Sequence, residues 1–288
     1  MNQSDQGAEL CPVCAQPPDY RRLYTVRGFP IVRCRRCGVG RTLVAPGFDA
    51  LGIYDEAYFQ GGRHDGYADY QGSALVLRGE FRAAFRQLGR AGVQHGQLLE
   101  VGCAYGYFLD EAARVFRVSG VEVAESAASA CRARGHDVAS GVVTEEFLCA
   151  RGPFDALVML DVIEHLQRPD EVLALLARHA KPGAVLLLST GDWGSLASRV
   201  MGRRWRLMTP PQHLWFFTQS SLAKLLAQAG FRVTDVQHPW KQVPLGLMAY
   251  QLGRALGLQA FVQRLRMPTL GLPVNLFDAV RVVARFTG

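Results

Sequence analysis

The 288-residue chain has no apolar run approaching the ~18 residues that would cross a bilayer. Its polar start, "MNQSDQGAEL", lacks the basic-then-apolar pattern of a signal peptide. Both absences lead to the expectation of a soluble, cytoplasmic protein. Internal repeats and low-complexity tracts are missing too, which excludes solenoid and linker-rich architectures. Lysine is scarce, so the net charge of +7 is almost entirely arginine. The forked guanidinium pairs with carboxylate and phosphate, which points to an acidic ligand, although a solvated arginine surface has the same composition. Hydrophobic residues make up 49% and charged residues 20%, the balance of a folded globular chain.

Cysteine is unevenly placed. Cys11 and Cys14 form one C-x2-C pair and Cys34 and Cys37 a second, with 19 residues between the pairs. The cytoplasmic expectation disfavours disulfides, so the spacing predicts a tetrahedral four-thiolate zinc site; redox dithiols are the other reading. Residues 1–45 are too few to bury a core and would need the metal as a staple. The chain divides into this zinc-binding module, a helical and aromatic bridge and cap at 46–95, and an α/β domain at 96–288.

From residue 96 onward, strands and helices alternate. Strands are expected at 97–102, 117–123, 136–140, 155–161, 184–190 and 231–237, and helices at 106–115, 125–134, 170–180 and 219–229. The apolar stretch 239–277 is expected to be a helical cover. Arg254, Arg264 and Arg266 flank its apolar face, so peripheral membrane contact is the lesser alternative to a core-facing or lid helix. "DAVRVVARF" closes the chain as a last strand.

The most informative stretch is "QLLEVGCAYGYFLDEAARVF": an apolar strand, a glycine turn and a helix. A dinucleotide fingerprint needs G-x-G-x-x-G, and here Ala104 and Tyr107 stand in the second and third glycine positions. No Gly-Lys-Ser/Thr follows, so a P-loop is excluded as well. What stands is Glu100, Gly102, Ala104 and Gly106, small residues that admit a ligand beside an acid suited to a cation.

This run resembles the first motif of class I S-adenosylmethionine-dependent methyltransferases, D/E-x-G-x-G-x-G, with Ala104 departing from it. "PFDALVMLDVIEHL" and "KPGAVLLLST" resemble the fourth- and fifth-strand motifs. The D-x-x-E-H-L run is similar to the ubiquinone-biosynthesis-like branch. The resemblance covers about residues 50–238 and a last strand near 278–286. It implies a Rossmann-like seven-stranded sheet and a donor site of Glu100, Gly102, Cys103, Ala104, Gly106 and Phe108. Glu122 and Val123 would meet the ribose, Val142 the adenine, and Leu160, Asp161 and Val162 the donor pocket; Tyr70, with Tyr67 beside it, would close over the donor. An acid in an apolar strand, as at Glu122, independently calls for a ligand.

Methyl transfer from a sulfonium needs alignment and exclusion of water, with a base where the nucleophile carries a proton. His213 and His165 are the candidate bases; His64 lies in the bridge. Some quinone-pathway relatives hold a divalent ion with the Glu-His pair, matched here by Glu164 and His165, with the other ligands unassigned; helix capping by Asp161 or Glu164 is the plainer account. The loop carrying Arg199, Arg203, Arg204 and Arg206 beside Trp205, Trp215, Phe216 and Phe217 suits an acceptor surface or, equally, a surface loop with a few packed aromatics. The N-terminal cysteines are similar to the zinc piece of some sugar C-methyltransferases.

The resulting expectation is a methyltransferase for a small-molecule acceptor, a sugar, lipid-linked or natural-product intermediate. The alternative is an RNA methyltransferase gripping phosphates through Arg21, Arg22, Arg27, Arg33, Arg35, Arg36 and Arg41. Against that, no Asn-Pro-Pro-Tyr motif follows the fourth strand. A non-catalytic binding protein that has kept the fold is the third reading.

Overall fold

In the computed structural model, the structure describes residues 10–50, 52–53, 74–244 and 271–288. His64, Tyr67 and Tyr70 lie outside them, as do residues 245–270 of the expected helical cover.

A seven-stranded sheet forms the centre. Its strands are β4 (Gly96–Val101), β5 (Phe116–Glu122), β6 (Asp137–Ser140), β7 (Phe154–Leu160), β8 (Ala180–Gly191), β10 (Phe231–Gln237) and β13 (Ala279–Phe286). They lie in the order β10-β13-β8-β7-β4-β5-β6, with β13 antiparallel to both neighbours. The near-continuous apolar runs follow from burial on both faces, as parallel strands require. Helix α1 (Ala74–Arg90) precedes β4; α2 (Tyr107–Ala112), α3 (Glu125–Ala133), α4 (Glu145–Arg151) and α5 (Pro169–Arg178) make the crossovers. After β8 come α6 (Leu196–Met201) and α7 (Gln219–Gln228).

Three of the described helices, α4, α6 and α7, start where a side chain satisfies a first N–H group. Thr144 accepts from Phe147 N, and Thr218 and Ser221 form a reciprocal capping box. Pro169 opens α5, where a missing N–H costs nothing.

The two-residue period of the strands sorts the core into two layers. Leu99, Val101, Leu157, Met159, Leu186, Leu188 and Val282 pack against α5 and α7. Leu98, Val158, Val185, Leu187 and Val283 pack against Ala84 and Leu88 of α1 and Phe108 of α2.

A second sheet is built from β1 (Tyr20–Val26), β2 (Phe29–Cys34), β3 (Gly40–Thr42) and the short β9 (Trp215–Phe216). The cysteine-bearing strands are thus tied to the main body. Gly40 and Arg41 pair with Phe216 and Trp215, and Thr42 bonds the backbone oxygens of His213 and Leu214. Cys11, Val13, Cys14, Cys34 and Val39 share one apolar core with the α7 side of the large sheet.

Two parts of the fold differ from expectation: α4 is a helix where none is expected, and the proposed helical cover has other flanks. The flanks of the proposed helical cover are strands: β11 (Lys241–Pro244) pairs antiparallel with β12 (Gly271–Val274).

Candidate active site

The strand order reverses between β4 and β7, and in such sheets the ligand crevice opens beyond the carboxyl ends of the strands there. A cavity of about 500 Å³ lies in that place, within the range of small-molecule sites.

The loop after β4 is its floor. Gly102 and Cys103 donate to Val121 O at 2.8 and 3.2 Å, which turns the chain over β5. Gly102 has φ 71°, and a Cβ there would stand 2.6 Å from Val162 Cγ2, so only glycine fits. Ala104 also takes a left-handed φ, 44°, at a cost of roughly 1 kcal/mol. The sequence departure is therefore a departure in residue type; the turn keeps its shape.

Two acids border the cavity. Glu122 is 5% exposed; its Oε2 accepts from Ala104 N at 2.8 Å and its Oε1 from Ala124 N at 2.9 Å. The carboxylate fixes the glycine turn to the end of β5 and still has lone pairs for further hydrogen bonds. Glu100 is 2% exposed, and its Oε2 has no hydrogen-bond partner among the described residues. Burial, reinforced by nearby Cys131 and Glu122, pushes its carboxyl well above the usual range. An uncompensated buried acid in a cavity wall is suited to a cation.

That shift has a consequence for the free protein. With the folded-state pKa raised, Glu100 favours folding below about pH 4.5 and opposes it as pH climbs through the folded value. Glu100→Gln is therefore expected to raise the melting temperature of the ligand-free protein at pH 8 while weakening donor binding. Differential scanning fluorimetry at pH 5 and pH 8 checks this; a lower melting temperature at both would refute the assignment.

Of the other expected donor residues, Cys103, Val123, Val142, Leu160, Asp161 and Val162 line the cavity. Gly106 caps α2 with φ 66°, and Phe108 is fully buried against Phe85 at 6.3 Å; neither lines it. Asp161, at φ 55°, receives the Ser189 hydroxyl on Oδ1 at 2.8 Å.

His165 borders the cavity from the 3-10 turn Ile163–His165. Its Nδ1 lies 2.9 Å from Gln212 O and donates to it, leaving the Nε2 lone pair as the basic site of the neutral ring. His213 stands behind it, ring centroids 4.8 Å apart, and does not line the cavity. Burial and the neighbouring His165 push its pKa down to about 3. Ligand atoms of Glu164, His165 and His213 lie within 4.8 Å of one another, which brings a third donor to the Glu-His pair.

The aromatics of the 199–217 loop follow the packed alternative. Trp205, Trp215, Phe216 and Phe217 are buried. The Trp205 indole donates to Asp278, the Trp215 indole to Leu166 O, and Arg206 holds Asp278 through both nitrogens of its fork. Those aromatics anchor the insert, and none lines the cavity. Sequence reading missed Ser189 and Arg281, which do line it. The signal was present in both: a polar residue on an apolar strand, the same sign that singled out Glu122.

Away from the cavity, Cys11 and Cys37 sulfurs lie 3.7 Å apart and those of Cys14 and Cys34 3.9 Å apart. A Zn–S bond of about 2.3 Å gives tetrahedral edges of about 3.8 Å. The donor set and the spacing both fit zinc.

The sequence matches the family model described as "Methyltransferase domain" over residues 76–236. Similar proteins include the ubiquinone biosynthesis O-methyltransferase of Caulobacter vibrioides, 29% identical over 172 residues, 56% of this chain and 60% of that protein. That of Dinoroseobacter shibae is 33% identical over 153 residues, 48% and 61% of the two chains. The alignment thus spans about 60% of the length of these relatives. Among solved structures, a SAM-dependent methyltransferase from Archaeoglobus fulgidus superposes with TM-score 0.52 at 17% identity, covering 82% of this chain and all of the other. Magnesium protoporphyrin IX methyltransferase from Synechocystis with bound SAH gives TM-score 0.50 at 14% identity, covering 82% and 99%. With more than half its length matched by the family model and its sheet ordered as described, the chain belongs to the methyltransferase-domain family and has the class I S-adenosylmethionine-dependent fold.

Proposed function

We propose that the protein transfers the methyl group of S-adenosylmethionine to a hydroxyl oxygen of a small-molecule acceptor by direct in-line displacement. The observation that carries this reading is the pair of buried acids, Glu100 and Glu122, on one wall of the cavity. Glu122 takes the ribose, Glu100 the positive end of the donor, and the glycine turn of 102–106 the backbone approach. Leu77, Phe81, Ala84 and Leu160 give the cavity apolar walls, which suit a ring or chain and exclude water. Transfer to oxygen is supported by the relatives named O-methyltransferases.

In this reading His165 removes the acceptor proton through Nε2, with Gln212 O orienting the ring. His213 buttresses it. Residues 1–45 form the zinc-stapled module, 46–95 the cap and 96–288 the donor domain, in a cytoplasmic protein. The Glu164, His165 and His213 donors also fit a divalent ion, which would lower the pKa of the acceptor hydroxyl.

The test is formation of S-adenosylhomocysteine from S-adenosylmethionine across a panel of hydroxylated aromatics and sugars. His165→Ala is expected to lower kcat by roughly 10²- to 10⁴-fold with donor affinity unchanged. Failure to bind either S-adenosylmethionine or its demethylated product would sink the reading. Loss of turnover when divalent ions are withheld, with the four-cysteine zinc retained and His165 intact, would reassign that residue from base to ligand.

A further inference from the structure

Two arginines four residues apart on β13 have different surroundings. Arg285 fills its fork with backbone oxygens, donating to Gly183 O and Ala91 O. Arg281 is 7% exposed, yet among the described residues its one hydrogen bond runs from Nε to Gln87 Oε1 on α1. Gln87 in turn donates to Asp235 Oδ2 at 2.8 Å, which fixes the amide that holds the arginine. No carboxylate among the described residues forms a salt bridge with Arg281, and the residue lines the cavity.

Its place in the sheet assigns it to one end of that cavity. Arg281 stands opposite Ser189 of β8, and strand alternation puts Glu122, Glu100, Ser189 and Arg281 on one face. In strand order they run from β5 through β4 and β8 to β13. Three strand spacings of about 4.8 Å separate β13 from β4 and four separate it from β5, so across the sheet Arg281 lies roughly 14 Å from Glu100 and roughly 19 Å from Glu122. Ser189, which donates to Asp161, stands between.

A guanidinium taken out of water without a paired anion is unfavourable, and it stays protonated all the same. Burial works against its charge, while Glu80 and Asp161 at the same end of the cavity support it. Gln87 holds the fork by Nε and leaves both Nη groups for a planar or tetrahedral oxyanion, pre-organised for two parallel hydrogen bonds.

We propose that Arg281 binds an anionic oxygen group of the methyl acceptor, a carboxylate or a phosphate, and thereby selects acidic acceptors. The proposal rests on the cavity being a donor-plus-acceptor site and names the charge of the acceptor.

The test uses the full chain loaded with S-adenosylhomocysteine and titrated with benzoate, phenyl phosphate and neutral benzamide, followed by saturation-transfer NMR. At least one anionic probe is expected to bind roughly tenfold more tightly than benzamide, and the better anion identifies the group. Arg281→Met is expected to abolish that preference while leaving the affinity for S-adenosylhomocysteine within about twofold, given the distance between the sites. Equal binding of charged and neutral probes by the wild-type protein overturns the proposal, and that comparison needs no variant to fold. A preference that survives in folded Arg281→Met overturns it as well. Absence of S-adenosylhomocysteine binding by the wild-type protein overturns the donor reading itself, a result separate from loss of the probe preference.

Discussion

Cys34→Ser is expected to release the metal and to lower the melting temperature of the whole chain by roughly 10–20 °C. Two sulfur pairs stand 3.7 and 3.9 Å apart, all four sulfurs lie within 4.8 Å of one another, and three of the four cysteines belong to the core shared with the large sheet. Structural zinc contributes about 10–16 kcal/mol in small peptides. A loss of only about 5 kcal/mol here gives that shift, at about 2–4 °C per kcal/mol for a chain of this size. Cys149→Ser, at an exposed position on α4, is the control and should change neither metal content nor melting. Metal analysis of the purified wild-type protein should give about one zinc per chain. A folded, metal-free wild-type protein would remove the four-thiolate site.

Glu122→Ala should have the largest effect on the donor. It removes the proposed ribose acceptor and strands two backbone donors, Ala104 N and Ala124 N, that the carboxylate holds at 2.8 and 2.9 Å. Hydrogen bonds to a charged group are worth about 1.5–3 kcal/mol, so affinity for S-adenosylhomocysteine should fall roughly 10- to 150-fold. The ligand-free variant should also melt earlier, because each buried N–H left unsatisfied costs about 1–3 kcal/mol. Calorimetry showing undiminished affinity would take Glu122 out of the site. Glu122→Gln is the informative companion: its amide oxygen can serve one of the two N–H groups, and its NH2 opposes the other.

The central sheet was legible because its strands are local apolar runs bounded by turn residues, and their ends agree with the structure to within a few residues. The two acids were legible for a related reason. A charge at the end of an apolar strand conflicts with its surroundings, and Glu100 and Glu122 prove buried on the cavity wall. The same rule reaches Arg281, but "DAVRVVARF" reads first as an ordinary edge strand. Its place beside β8 is a non-local fact that the local pattern does not carry.

The insert between β8 and α7 was the least legible part. Trp205, Trp215, Phe216 and Phe217 alternate with arginines in a way equally suited to an open acceptor surface or a packed clasp. The deciding partners, Asp278, Leu166 O and β3, lie far off in sequence. Helix α4 is not among the expected helices although Thr144 caps it, because seven residues are too few to display a helical apolar period. His213 was singled out by type and neighbourhood, and only the fold places it behind His165.

The pairing of β3 with β9 bears on how such enzymes can be recombined. A chimera that imports residues 10–50 without the matching 205–218 would leave Gly40–Thr42 as a bare, hydrogen-bond-hungry border, the kind of rim that recruits strangers into aggregates. Successful shuffling among relatives would have to exchange the two segments as one cassette, although more than 150 residues separate them.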